Sequence, residues 1–446
     1  MTTTTLGDPV EVYRVEAERP LPHWPVTLMI AGYPVWFLTG LGGFMWVILA
    51  IPMAAALIRR RRAVVPKGFG FWLLFLAAVV GSATSLDGFG RTAGYLLRLG
   101  YYGAATVFLL YLLNAGTSLP VDRIVRVFTI VYLATVTGGY LALVLGDWSF
   151  RSPTWYLMPH VLRSNELINS LLTPGFADLQ DIIGIPIPRP KAPFPYTNSW
   201  GSNLALLTPF ALMALNLPGV GISRRVLRFA LFASVVPAVV SLNRGLWLSL
   251  TVGLVYAAVR FGVGGQTRLL VRLAVGAVVL ALVIVLSPLG DLVTSRIDNG
   301  HSDNDRTELA TAAVSGATER PLFGWGAPRP NVRNLPSIGT HGQLWMVTFS
   351  HGFIGAAGFV GALVSFWFHT RRQRTAVGVW SNAVVLIGIT QMGFYLMIPN
   401  ALFVVMAGVA IAARTLVESP RAAGTTPIEL RDFGDGQLVT PLSPRI

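Results

Sequence analysis

Residues 291–355 read DLVTSRIDNG HSDNDRTELA TAAVSGATER PLFGWGAPRP NVRNLPSIGT HGQLWMVTFS HGFIG, the most polar segment of a chain that is otherwise mostly apolar. Apolar sequence precedes Asp291 and resumes directly after His341. Long polar excursions between apolar spans are either functional or disordered. This one holds several arginines, a histidine at its exit and a Pro321-Leu322-Phe323-Gly324-Trp325-Gly326 turn. It reads as half of a site that sits on a membrane surface.

Outward from that segment, composition sets the class. The 446 residues are 53% hydrophobic and 12% charged, with a mean hydropathy of +0.61. A soluble domain carries about 25% charged residues. Apolar runs of about 18 residues recur along the chain, so it reads as an all-α polytopic membrane protein. Cysteine is absent, which excludes disulfides, thiolate nucleophiles and thiolate metal sites. Residues 1–25 are polar with no short apolar run, so they read as a cytoplasmic tail rather than a cleaved signal peptide.

The apolar pattern divides into about twelve spans, near 26–40, 41–58, 69–84, 91–113, 124–146, 200–217, 226–241, 244–259, 270–288, 341–368, 378–397 and 400–416. Residues 26–417 then form a single transmembrane domain, and 418–446 a second cytoplasmic tail that reads as disordered. The basic clusters at 59–67, 122–126, 224–228, 260–272 and 371–374 all fall on one side if the spans alternate, which the positive-inside rule requires. Both termini are then cytoplasmic, and two long loops, 147–197 and 289–340, share the extracytoplasmic face with short helices of their own.

Topology accounts for much of the net charge of +14, which implies no nucleic-acid partner. It does not account for Arg189, Lys191, Arg244, Arg296, Arg306, Arg320, Arg329 and Arg333, which lie on the side that rule disfavours. A cationic outer face calls for an anionic partner: phosphate, diphosphate or an acidic glycan.

Arg244, in the short turn Ser241-Leu242-Asn243-Arg244-Gly245, is the sharpest case. Charge at that depth is costly, and the planar guanidinium fork suits a phosphate; the competing reading is an arginine reaching up to lipid headgroups. Arg98 falls within the fourth span, where a paired arginine and a substrate contact fit equally. Arg306 opens a helix-like run through Thr318. His341 stands where loop meets span, either deprotonating an acceptor hydroxyl or binding a phosphate oxygen, or else hydrogen-bonding to the helix start. His351 reads as a packing residue. Gly352, Gly355, Gly358 and Gly361 recur every third residue and form a face for close helix packing. The proline-stiffened run Arg189-Pro190-Lys191-Ala192-Pro193 presents Arg189 and Lys191 at the head of the sixth span, where Asn198 either caps the helix or contacts a sugar. There is no phosphate-binding loop of the ATPase type and no metal-ligand spacing, and so no metal or cofactor is assigned.

The order Arg244, Arg306, Pro321-Leu322-Phe323-Gly324-Trp325-Gly326, His341, Gly352 and Gly355 resembles the bacterial O-antigen ligase and O-antigen polymerase family over residues 185–365. That resemblance implies a GT-C-like membrane glycosyltransferase of the bacterial plasma membrane. Such an enzyme moves a glycan from an undecaprenyl-diphosphate donor to a glycan or glycolipid acceptor, with no metal or nucleotide sugar. It implies that Arg244 holds the diphosphate with Arg306 helping, and that His341 serves the acceptor hydroxyl or the leaving diphosphate. Arg189, Lys191, Asn198, Asn243, Arg329 and Arg333 then line the substrate site. The family's usual asparagine after the histidine is Gly342 here. A flippase of lipid-linked oligosaccharide and a non-catalytic component of an envelope assembly complex are the competing readings.

Overall fold

The computed structural model describes residues 20–60, 63–164, 166–181, 186–285, 302–329 and 337–422, and the architecture is predominantly helical. Among the described residues four helices are long and apolar enough to cross a membrane: Phe89–Asn114, Val121–Leu145, Arg244–Val263 and Gln343–Thr370. Shorter apolar helices cover Met45–Ile58, Phe69–Ser85, Ala376–Gln391 and Asn400–Leu416. Each of the twelve apolar runs overlaps a helix or a broken helix, but among the described residues length and composition single out these four as spans. The polar tails at 1–19 and 423–446 lie outside the described residues.

Three runs that read as continuous in sequence are interrupted, each by backbone chemistry. The run at 26–40 is two helices, Trp24–Ile30 and Tyr33–Thr39, with Pro34 opening the second. Proline has no N–H to give the preceding turn. The run at 226–241 breaks at Ser234 into Arg224–Ala233 and Val235–Val240. Pro237 cannot donate to the carbonyl of Ala233, and the Tyr140 hydroxyl donates there instead at 2.8 Å.

The third interruption matters most. Gly352 has φ 69° and ψ −174°, so the Gln343–Thr370 helix is split. The Pro321–Gly326 turn fits into the split. The Trp325 N–H donates to Phe349 O at 3.0 Å, the Gly326 N–H to Ser350 O at 2.7 Å, and the Phe353 N–H to Pro321 O at 2.8 Å. A Cβ on Gly352 would stand 2.5 Å from Leu322 O, and one on Gly324 2.5 Å from Phe349 O. The glycines are therefore what lets the turn lie against the open backbone. Further along, Gly358 and Gly361 rest on Phe75 and Phe71 of the Phe69–Gly81 helix, so the small-residue face packs as expected.

The expectation of an all-α chain needs one correction. In the first long loop Ala177–Asp181 and Pro186–Pro190 pair as a two-stranded antiparallel sheet, with Asp178 opposite Arg189. Alternate prolines at 186, 188 and 190 cannot continue a helix and hold φ near the extended range. The short helices Pro153–Leu157, His160–Arg163 and Glu166–Leu172 precede the sheet, and the Ser302–Glu319 helix occupies the second loop. The core is organised around the helix Asn400–Ala422, whose residues 401–412 are buried all round and which packs on Phe89–Asn114 and Ala376–Gln391. A helix apolar on every face belongs inside a bundle.

Candidate active site

Arg244 is the first residue of its helix and is half-buried. Its backbone is fixed from both sides. Asn243, 3% exposed, does not cap the helix with its side chain. The amide instead donates from Nδ2 to Thr197 O at 3.4 Å, and Oδ1 accepts from the Tyr395 hydroxyl. Gly201 and Gly245 make room, since Cβ atoms there would stand 2.2 Å from Asn243 Nδ2 and 2.4 Å from the Tyr395 hydroxyl oxygen. A guanidinium at a helix N-terminus adds to the positive end of the helix dipole, so the pair favours an anion.

His341 lies two residues before the Gln343–Thr370 helix, half-buried, with Nδ1 3.2 Å from Thr340 Oγ1. The helix start is anchored to the same segment that holds Asn243. Gln343 N–H donates to Tyr395 O and Leu344 N–H to Met392 O, each at 2.8 Å, and Met397 N–H donates to Gln343 Oε1 at 3.0 Å. Gln343 Nε2 donates to the Tyr102 hydroxyl at 2.9 Å. Gly342 has φ 121°, and a Cβ there would stand 2.8 Å from Gly393 O. The asparagine usual after the histidine would be strained here, which is the physical reason for Gly342. Residues 392–397 therefore join the Arg244 turn to the His341 junction, although the two lie 97 positions apart in sequence.

The first loop docks on the same turn. Arg189, 7% exposed, donates Nε–H to Ser241 O at 2.6 Å and binds the Gln180 side chain through a terminal nitrogen. Lys191 Nζ is 2.8 Å from Asp178 Oδ1, and Asp178 Oδ2 accepts from the Thr197 hydroxyl at 3.1 Å. Asn198 follows in the first turn of the Thr197–Ala214 helix and is partly exposed. The structure thus brings Arg189, Asn243 and Arg244 together, with Lys191 and Asn198 beside them.

Arg329 belongs to a second cluster. It binds Asp87 Oδ2 at 2.7 Å and lies 3.8 Å over the Trp325 ring, with Arg320 at 4.1 Å from that ring. Asp87 also pairs with Arg91, whose guanidinium donates to Trp325 O at 2.6 Å and Ala327 O at 3.0 Å. Three arginines thus surround the motif turn, two of them, Arg91 and Arg329, sharing Asp87 as counter-charge. The bridge Arg329–Ile338 closes the loop back toward His341. Arg306 stands in the Ser302–Glu319 helix, but its side chain lies outside the described residues, as do Arg333 and Arg296 altogether.

Residues 229–360 match the O-antigen ligase family model, a stretch that runs from before the Arg244 turn to beyond the Gly352 break. Over this stretch, about 30% of the chain, the sequence is similar to the O-antigen ligase family. With four helices of membrane-crossing length among the described residues, the chain is a multi-pass membrane protein. No curated protein and no solved structure matches the chain. The family stretch contains Arg244, Arg306 and His341, whereas Arg189, Lys191 and Asn198 lie before it and Tyr395 after it.

Sequence reasoning missed Tyr395 and Gln343, which connect the two halves, and Asp178, which holds Lys191. It also missed the buried trio behind them, where Ser202 Oγ donates to Gln391 Oε1 at 2.7 Å and Gln391 Nε2 donates to Ser249 Oγ at 3.0 Å. The signal was present: Gly393 and Pro399 mark the end of the Ala376–Gln391 helix, and a buried glutamine in an apolar run needs partners.

Proposed function

We propose that this chain is a member of the O-antigen ligase family and a glycosyltransferase acting on a polyprenyl-diphosphate-linked glycan donor. It transfers or polymerises that glycan onto a glycan or glycolipid acceptor at the extracytoplasmic face of the bacterial plasma membrane. The reading includes a twelve-span arrangement of residues 26–417, both termini cytoplasmic, with the site formed by loops 147–197 and 289–340. The observation that carries it is the junction at Tyr395, which holds the Arg244 turn and the start of the His341 helix on one short segment.

In this mechanism the diphosphate oxygens lie against the Arg244 guanidinium and the N-terminus of its helix. The acceptor hydroxyl oxygen attacks the anomeric carbon as the bond to the diphosphate oxygen breaks. Its proton passes to His341, and the electron pair of the broken bond leaves on the diphosphate, where Arg244 stabilises it. Arg306 assists from the second loop, with Lys191, Asn198, Arg189, Asn243, Arg329 and Arg333 supporting the substrates. A single displacement of this kind inverts the anomeric centre. The diphosphate is its own leaving group and arginine supplies the positive charge, so no metal takes part.

The test is transfer by purified protein from a polyprenyl-diphosphate glycan to acceptor. Arg244→Ala and His341→Ala should each lose about 10²–10³ in rate, the usual cost of removing one preorganised electrostatic donor. Wild-type rates in both folded variants would remove the mechanism. Glycan movement across a vesicle membrane without transfer would favour a flippase.

A further inference from the structure

One charged residue stands apart from the contacts described so far. Arg98 lies nine residues into the Phe89–Asn114 helix, about 13 Å along its axis at the usual rise. Its side chain has no hydrogen bond or ion pair among the described residues. Other arginines in and beside the bundle have hydrogen-bond partners, although Nε of Arg91 and of Arg260 has none among the described residues. Arg414 donates to the carbonyls of Leu119 and Gly116 at 2.9 and 2.7 Å, Arg189 to Ser241 and Gln180, and Arg91 to Asp87, Trp325 and Ala327.

Lipid exposure does not account for Arg98. The outward face of its helix carries Phe89, Leu96 (57% exposed) and Gly103, at seven-residue spacing. Arg98 lies on the other face, on a stripe with Arg91, Tyr95 and Tyr102. Its three stripe partners are engaged: Arg91 on the motif turn, the Tyr95 hydroxyl on Val79 O at 2.8 Å, and the Tyr102 hydroxyl with Gln343. The guanidinium folds back over Gly94 toward the helix start, into space a side chain at 94 would take. Arg98 thus sits between the motif turn above and the Gln343–Tyr395–Asn243 chain that leads to Arg244.

The neighbourhood holds a second unsatisfied group. His351, 1% exposed, packs edge-on to Tyr102 and shares a hydrogen bond with Ser82 Oγ through Nδ1 at 2.8 Å. Its Nε2 is buried and has no hydrogen-bond partner among the described residues. Tyr102, one helical turn along the stripe from Arg98, is the ring against which His351 packs. An inward-facing charge within a membrane helix marks a substrate or ion path unless it is paired.

We propose that Arg98 is a further cationic contact for the donor's diphosphate, taking a phosphate oxygen from within the bundle while Arg244 takes the head from the loop side. The inference rests on the glycosyltransferase reading above. The same phosphate chemistry belongs to a phospholipid headgroup, and the experiment separates the two.

The full-length protein, purified in detergent and in lipid nanodiscs, is titrated with farnesyl diphosphate and with farnesol. Wild type binds the diphosphate and not the alcohol. Arg98→Met and Arg98→Gln should each weaken diphosphate binding by at least about tenfold, the cost of one charge-assisted contact. They should melt no lower than wild type, because no internal partner is lost; a structural arginine would lower the melting temperature instead. Arg244→Gln is measured in parallel. Wild-type affinity in either folded Arg98 variant, with Arg244→Gln weakened, overturns the inference and leaves the functional reading intact. Wild-type affinity in all the variants, or no binding by wild type, overturns both. Loss of co-purifying phosphatidylglycerol from Arg98→Met without a change in farnesyl diphosphate affinity assigns the residue to lipid and overturns the proposal.

Discussion

The Tyr395 hydroxyl donates to the side-chain oxygen of Asn243, and the Tyr395 carbonyl accepts from the Gln343 N–H. One residue outside the family-matched stretch therefore grips both the turn that presents Arg244 and the helix start that follows His341. Tyr395→Phe leaves the backbone contact to Gln343 in place and strands the Asn243 oxygen in a buried site. An unsatisfied buried acceptor costs about 1–3 kcal/mol. The variant should melt lower in detergent and transfer more slowly, with the loss in turnover exceeding any loss in donor affinity. Unchanged melting and turnover would separate Tyr395 from the site.

The docking of the Pro321–Gly326 turn depends on missing Cβ atoms. Gly352→Ala places a methyl 2.5 Å from Leu322 O at a φ that L-residues rarely adopt. It should destabilise the protein by at least about 1–3 kcal/mol and undock the turn. Gly103→Ala is the control: nothing lies within 4 Å of its Cβ, so it should be neutral or slightly stabilising. Thermal unfolding of the two variants and limited proteolysis around residue 323 report the difference.

Gly342→Asn installs the residue usual in the family. Here φ is 121° and the Cβ meets Gly393 O and Trp345. The substitution should lower both stability and transfer, because it pushes the His341 junction away from residues 392–395. Improved transfer would show that the glycine is not required by local geometry.

Arg189 is buried against Ser241 O and Gln180. Its removal leaves two acceptors without a charged donor, and each such hydrogen bond contributes about 1.5–3 kcal/mol. Arg189→Ala should therefore reduce melting temperature as well as transfer. A variant that loses donor affinity at full stability would show direct contact with substrate instead.

The helical character of the chain was legible in the sequence because runs of apolar residues record which segments are buried. The two long loops, the helix opening near Arg306 and the close-packing glycines at 358 and 361 all follow from local pattern. The split at Gly352 was not legible, since a glycine in an apolar run reads equally as packing or as a break. Only the incoming Leu322 and Pro321 carbonyls decide it. The hairpin at 177–190 was not legible, because prolines announce extended backbone without naming the strand they pair with. Arg244 and His341 stand out in the sequence by charge and position. Tyr395 was not, because its role lies in a contact 152 residues away with Asn243.

The central claim is that Arg244 and His341 act on one transfer event. Its most direct test is a double-mutant cycle in single-turnover transfer from a polyprenyl-diphosphate glycan, using wild type, Arg244→Ala, His341→Ala and the double variant. Groups serving one transition state are not additive. The account predicts that each single variant loses about 10²–10³ in rate and that the double variant falls well short of the product of the two losses. Wild-type rates in either single variant, or strictly multiplied losses in the double, would contradict it.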